Sequence, residues 1–458
     1  MADLGKLLQR GLYTGSGLIA HLIQAQEPSP PNLGVGTTVR SFDNANRVLL
    51  AVSYWDHRGV GEEELLRLKH RFLKYWGGAA SLAVAVFVRP LAEVSRPEYN
   101  FSTGGLELFF ELCKRTNMPV IVNICGSQWE EVCYDRSELI SKLTSNPDNL
   151  MLMENDAIVP RRFQSPGDIG LVRLLAGRWP YSVDQNGVQY FSLWSDEVNR
   201  VHARNLGQLA EVVARFFEER PDLAVAISTP NERSFPGRWE IGDHTADYGV
   251  HAIHAFRDYV RSLFQNDWLE FETEFPDMVG IQAGFHAVEP PRVFDPSSKI
   301  WMLWQEFREY SVTQAVQIDV NVLLEAGIPS ELVYTHQSCN QAYADPYRRA
   351  SPLKTAAVDG ANIGMVSWGL GNTDFYNNVA ALAVDESKQW GLFASNPLSL
   401  SRKACYNELR AAVDNGAHVI VVYNYGPERS PFLGYGVLGM PVMSAMQQLM
   451  EELNSRHS

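Results

Sequence analysis

The stretch Leu223-Ala-Val-Ala-Ile-Ser-Thr-Pro-Asn231-Glu232 runs apolar for the length of a strand, then stops in a proline, an amide and a carboxylate. A carboxyl group delivered at a strand end can give or take a proton at a reacting bond, and an amide beside it can bond a hydroxyl. Other apolar runs end in comparable groups: Trp55-Asp56-His57-Arg58, Arg89-Pro90, and Asn123 with Trp129 shortly after. Tyr334-Thr335-His336, Trp368 with Asp374, Ala394-Ser395-Asn396-Pro397 and Tyr423-Asn424-Tyr425 complete the set. Flat aromatic faces mixed with directional donors and acceptors suit a ligand rich in hydroxyls, a carbohydrate. The chain's other Asn-Glu pair, Asn407-Glu408, sits inside a helix-like segment and carries no such meaning.

Each of these residues also has an ordinary structural reading. Glu232 could pair with Arg233 or Arg238, Asn231 could form a turn after Pro230, and Arg89 could pair with an acid at a rim. Tyr334 and His336 alternate with Thr335, so the two sets face opposite sides of a strand. Trp129 and Trp368 could pack in a core or at its rim. Asp56-His57 lacks a third ligand at suitable spacing, so no metal is expected. Trp301, Trp304 and Phe307 have helical spacing and read as helix packing.

Strand-like apolar runs cover 48–55, 82–88, 119–125, 223–228, 332–337, 361–368, 389–394 and 418–423, and amphipathic stretches lie between them, among them 62–76, 106–116, 198–219, 304–326 and 401–415. Alternating strand and helix signals predict parallel βα units, and eight of them an α/β fold closed as a (β/α)8 TIM barrel. In such barrels the chemistry gathers where the strands end. Gly416 is expected to cap the helix before the last strand, and Pro441 to open a final helix. The connections at about 126–196, after strand 3, and about 233–299, after strand 4, are long insertions; the second contains a helix at 251–264. Residues 1–40, rich in Pro and Gly near 27–36, read as an N-terminal arm, and 41–458 as the barrel.

Composition narrows the function classes. The 458 residues are 45% hydrophobic and 20% charged, ordinary for a globular protein with a sizeable core. The net charge of −14 and the lack of a Lys/Arg block argue against nucleic-acid binding. No apolar run is long enough for a membrane span. Five cysteines without CxxC spacing read as free thiols rather than a disulfide framework or zinc site. The N-terminus has no clear cleavage site, so a cytoplasmic protein is expected, although a secreted form without its leader would read the same. No HExxH, Walker loop, GxGxxG or GxSxG occurs, and no cofactor is implied. A homo-oligomer is compatible with these features.

With Asn-Glu ending the fourth strand, the chain resembles the clan A retaining glycoside hydrolases, and most closely the family-42 β-galactosidases. The resemblance implies that Glu232 is the acid/base and that Asn231 bonds the hydroxyl beside the reacting carbon. Arg89 matches the clan's strand 2 arginine. The long strand 3 connection and Ala255-Phe256-Arg257 after the Asn-Glu are also similar. Retaining hydrolysis needs a second carboxylate about 5–5.5 Å away as nucleophile, which the family supplies at the end of strand 7. Here Gly391-Leu392-Phe393-Ala394-Ser395-Asn396-Pro397 puts Ala394 at that position.

Three readings follow. Ala394 replaces a nucleophile in an otherwise intact site; or a displaced carboxylate such as Asp374, Glu131 or Asp56 serves, which at a separation of about 6.5–9.5 Å would give inverting chemistry; or the barrel binds carbohydrate without cleaving it. Asp56, Asn123, Trp129, Tyr334, His336 and Trp368 are the further candidate sugar contacts. In the double-displacement scheme Glu232 starts protonated, its pKa raised by burial and by a neighbouring carboxylate. With alanine at 394, one of those causes is missing.

Overall fold

A computed structural model describes residues 48–54, 61–72, 75, 79–88, 103–124, 143, 145–159, 190–230, 233–237, 241–276, 284–338, 346–367, 373–395, 401–425 and 436–455. The arm at 1–40 lies outside the described residues.

All eight anticipated strands form: β1 (Val48–Tyr54), β2 (Ala80–Val88), β3 (Val120–Ile124), β4 (Ala224–Ser228), β5 (Val333–Tyr334), β6 (Ile363–Ser367), β7 (Trp390–Ser395) and β8 (Val419–Tyr425). They pair in parallel in the order β5-β4-β3-β2-β1-β8-β7-β6. Bridges from Tyr334 to Asn362 and from Gln337 to Met365 join β5 to β6 and close the barrel. At this seam Gly364 has no freedom to carry a side chain, because a Cβ there would lie 1.8 Å from the Thr335 carbonyl oxygen.

Helices cover the outside: α1 (Glu62–Phe72), α2 (Thr103–Thr116), α3 (Asp196–Glu219), α4 (Val250–Leu263), α5 (Trp268–Glu274), α6 (Lys299–Glu325), α7 (Thr373–Asp385), α8 (Arg402–Asp414) and α9 (Gly436–Ser455). Their starts follow local chemistry. Ser195, Ser298 and Ser401 cap α3, α6 and α8 by accepting from the backbone N–H three residues on. Gly416, at φ +82°, follows α8 as anticipated. The last helix is a correction. It begins at Gly436, and Pro441 lies inside it rather than at its first turn. The missing N–H forfeits one helical bond, while Val442, Met443, Ala445, Met446, Leu449 and Met450 hold the segment against the core.

Strand alternation sorts the core into two parts. Leu50, Val52, Leu82, Val84, Val122, Ile227, Met365, Leu392 and Ile420 pack outward against the helices. Leu49, Ala51, Ala83, Ala85, Ile121, Val225, Ala226, Val419 and Val421 face the lumen, filled by the rings of Tyr334 and Phe393, 5.0 Å apart. Small residues on the walls leave room for two large rings.

The two insertions pack on each other. Met153 pairs with Ala246, and Leu152 accepts from Tyr248 N. Phe256 of α4 meets Trp304 and Phe307 of α6, so the helically spaced aromatics at 301, 304 and 307 are packing residues, all buried. Cys113 and Cys405 are buried and form no disulfide among the described residues. Among the described residues no helix is long and apolar enough to cross a membrane.

Candidate active site

The lumen changes character along its length. Toward the C-terminal ends of the strands the buried inward positions become polar: Ser53 on β1, Asn123 on β3, Ser228 on β4 and His336 after β5. Water-excluded polar groups are costly unless bonded or used. Ser53 Oγ and Asn123 Oδ1 have no hydrogen-bond partner among the described residues. The closed apolar end gives a rigid floor, and the polar end is where a ligand could be read.

The end of β4 is fastened on both sides of the Asn-Glu pair. Before it, Ser228 Oγ accepts from Ile124 N at 3.2 Å and pairs with His336 Nδ1 at 3.1 Å, while Thr229 N donates to Tyr334 O at 2.8 Å. After it, Arg233 turns away from the lumen into a buried cluster. Its Nε donates to Asp319 Oδ2 at 2.8 Å and its Nη2 to Oδ1 at 3.0 Å. Asp319, in α6, also pairs at 2.6 Å with Nε2 of His202 in α3, which the guanidinium touches as well. Burial pushes the Asp319 carboxyl up, but Arg233 and His202 outweigh it and hold the group below the ordinary carboxylate range. Residue spacings of 31 and 86 hid this cluster from the sequence. One signal was legible: Asp319 interrupts the apolar stripe of Val312, Val316, Val320 and Leu323.

The end of β7 is bent by an extra residue. Met365 pairs with Leu392, but Val366 pairs with Ala394; on the other side Leu392 pairs with Ile420 and Ser395 with Val422. Leu392, Ile420 and Met365 face the helices, as do Val422 and Ser367, the latter bonded to Tyr376 and Glu408 of α7 and α8. Two residues, Phe393 and Ala394, therefore share the lumen side where alternation alone would allow one. Asn123 reaches across the barrel, its Nδ2 donating to Phe393 O at 2.8 Å.

The other sequence-derived candidates divide. Asp56, Arg89, Trp129, Asn231, Glu232 and Trp368, together with Glu131 and Arg238, lie outside the described residues. Tyr334 is corrected: it is buried in the barrel core, and its hydroxyl donates to Gln389 Oε1 at 3.0 Å, beside the N-terminal end of β7. That is the end opposite the polar lumen, so the ring is packing rather than a sugar contact. His336 faces the lumen and is buried, its ring 6.0 Å from Phe393. Burial pushes its pKa down to about 3, so it is neutral at physiological pH and acts as a fixed hydrogen-bonding group. Asp374, one of the displaced-carboxylate candidates, is exposed in the first turn of α7. Glu408 is buried in α8 and accepts from Ser367 and Tyr376, a structural role consistent with its helical setting. Among the described residues no cluster of His, Cys, Asp or Glu could hold a metal ion.

No protein-family model matches the sequence, and no curated protein does. Solved structures do match. The β-galactosidase of the psychrophilic Marinomonas ef1 superposes with a TM-score of 0.56 at 12% identity, over 89% of this chain and 62% of that one. An exo-β-agarase aligns with a TM-score of 0.50 at 9% identity, over 86% of this chain and 47% of that one. The exo-β-1,4-mannosidase of Opitutaceae bacterium strain TAV5 aligns at 11% identity over 90% of this chain and 60% of that one, with a TM-score of 0.43. The chain thus spans less than two thirds of these proteins' own length. At such identities the likeness to the first two is one of fold alone, and it agrees with the eight-stranded barrel.

Proposed function

We propose that this chain is a barrel built for β-glycoside chemistry, of the clan A retaining type and similar to family 42. Glu232 is its acid/base, and position 394 is the seat of the nucleophile. The observation that carries the reading is the β7 bulge. It turns residue 394 to the lumen at the strand end where this chemistry needs a carboxylate, and the residue there is alanine. Support comes from the β4 end, where Asn231-Glu232 lies between two anchored stretches of backbone. The fold shared with a β-galactosidase points the same way.

In the complete reaction a carboxylate at 394 attacks the anomeric carbon while Glu232 protonates the departing oxygen. Glu232 then takes a proton from water, which displaces the sugar from the carboxylate with retained configuration. Asn231 bonds the neighbouring hydroxyl. Arg89, Asp56, Trp129, Trp368 and His336 are the further groups proposed for sugar binding. With Ala394 the first bond cannot form, so the chain as it stands binds a β-glycoside without turning it over by this route.

The test is Ala394→Glu assayed on aryl β-glycosides. A gain on the order of 10³-fold or more is expected, since losing a nucleophile costs at least that much in comparable enzymes. A second arm adds azide to the unsubstituted chain. Azide would attack the anomeric carbon as Glu232 gives its proton to the aryloxide, leaving an α-glycosyl azide and a phenol. Sugar binding with neither activity would instead identify a non-catalytic carbohydrate-binding barrel.

A further inference from the structure

Asn123 is fully buried on the lumen side of β3, two residues beyond the apolar Ile121. An aliphatic side chain of similar size would fill this place without the cost of an amide whose Oδ1 has no hydrogen-bond partner among the described residues. Its Nδ2 is committed elsewhere, donating to Phe393 O. β3 and β7 lie opposite each other, with β2, β1 and β8 between them one way and β4, β5 and β6 the other. The bond therefore spans the barrel. It meets β7 at the residue that the ladder leaves over, since both neighbouring strands pair around Phe393.

That residue decides which way its successor points. Leu392 and Ser395 both face the helices, so Phe393 and Ala394 must both turn inward. If the extra residue slid out of place, strict alternation would rotate 394 toward the helices and bring 395 inward. Bulges next to active sites serve to re-aim a side chain. A bulge held only by its own strand could shift by one residue; one tied by a buried amide on the facing wall cannot do so without breaking that bond.

We propose that Asn123 is a positioning residue for position 394: by bonding the Phe393 carbonyl across the lumen it locks the β7 bulge and aims residue 394 into the site. The proposal rests on the reading of 394 as the nucleophile position. It also changes the part expected of Asn123, which serves the strand across the barrel and leaves only its Oδ1 for a ligand.

Peptide-resolved thiol labelling tests this without requiring activity. Ala394→Cys and Ser395→Cys are made singly, each with Asn123 kept and with Asn123→Leu, and reacted with a small methanethiosulfonate. With Asn123 present, the thiol at 394 should react at least about tenfold faster than that at 395, because Ala394 is partly exposed on the lumen side and Ser395 is fully buried on the helix side. Asn123→Leu should erase or reverse that ratio; an unchanged ratio overturns the proposal. Should Asn123→Leu fail to fold, Asn123→Ala is read in the same way.

A second arm uses activity. In the Ala394→Glu background, Asn123→Leu should lower kcat about 100-fold, the scale of an ångström-sized misplacement, with KM nearly unchanged. Equal kcat values would count against Asn123 as well. If Ala394→Glu itself gains nothing, the glycosidase reading fails, and the labelling ratio still decides the role of Asn123.

Discussion

The ends of β4 and β7 carry the two positions that the proposed sugar cleavage would use, and they are held by opposite means. At β4 the backbone after the Asn-Glu pair is pinned from outside the barrel by a buried ionic cluster, Arg233 on Asp319 and His202, with helices α3 and α6 as the wall. At β7 the strand is bent by an extra residue and pinned from inside by one neutral amide, Asn123 on Phe393 O. His336 stands between them, bonded to Ser228 of β4 and facing the Phe393 ring. An acid/base must keep a usable pKa, so a neighbouring guanidinium is best neutralised by its own carboxylate. A nucleophile must above all point correctly, which is a matter of register. The charges gathered beside β4 and the geometry built into β7 match those different demands.

Replacing Ala394 with Glu should produce the largest change, a gain on the order of 10³-fold or more on aryl β-glycosides. If the gain appears and the added substitution Glu232→Gln abolishes it, the two strand ends act as one site. A gain indifferent to Glu232 would break the comparison.

Asp319→Ala should cost about 3–5 kcal/mol of stability, because it removes the carboxylate that neutralises the buried Arg233 cation beside His202. Thermal unfolding measures this. The double replacement Arg233→Met with Asp319→Leu should recover most of the loss, since no charge is then left unpaired. A single variant as stable as the parent would show that the cluster does not anchor the β4 end.

Gly364→Ala probes the seam instead. Overpacking against the Thr335 carbonyl should destabilise by about 1–3 kcal/mol or more, read from a denaturant midpoint. Since the added methyl also points toward the Phe393 ring, the β7 end should loosen more than the β4 end in hydrogen exchange.

The last effect is spread over several pH units. His336 titrates at about 3 in the folded chain and near its ordinary value of 6.5 when unfolded. Between those values the unfolded state binds the extra proton, so stability falls as pH drops, by at most about 1.4 kcal/mol per pH unit. Asp319 adds to the acid loss: its contribution is complete above the ordinary carboxylate pKa and disappears as pH falls through its lowered folded value. Measured stability from pH 7 to 4 should therefore show a slope that His336→Gln flattens near pH 5 and Asp319→Asn does not. Equal slopes in both variants would show that the acid loss near pH 5 does not come from His336.

Much of the architecture is legible in the sequence. The eight apolar runs became eight strands, and the strand before Asn231-Glu232 is the fourth. Parallel strands buried on both faces leave continuous apolar runs, and that local signal survives whatever the strands pair with. The anchors were not readable. Nothing near Arg233 indicates that a helix residue 86 positions later receives it, and nothing in Gly391-Leu392-Phe393-Ala394 says that two successive side chains share a face. Tyr334 shows the same limit: alternation put it on one face with His336, but that this face is the lumen, and which end its hydroxyl reaches beside Gln389 just before β7, are set by the neighbouring strands.

The sequence by itself determined the strand and helix periods, the eight-unit count and the amino acids standing at the strand ends, because these follow from side-chain polarity along one stretch of chain. Only the tertiary structure decided where those residues point. Orientation at β7 is set by register against β6 and β8 and by an amide from β3, and anchoring at β4 by charges on two distant helices. These are properties of neighbours brought together by folding, and no single segment contains them.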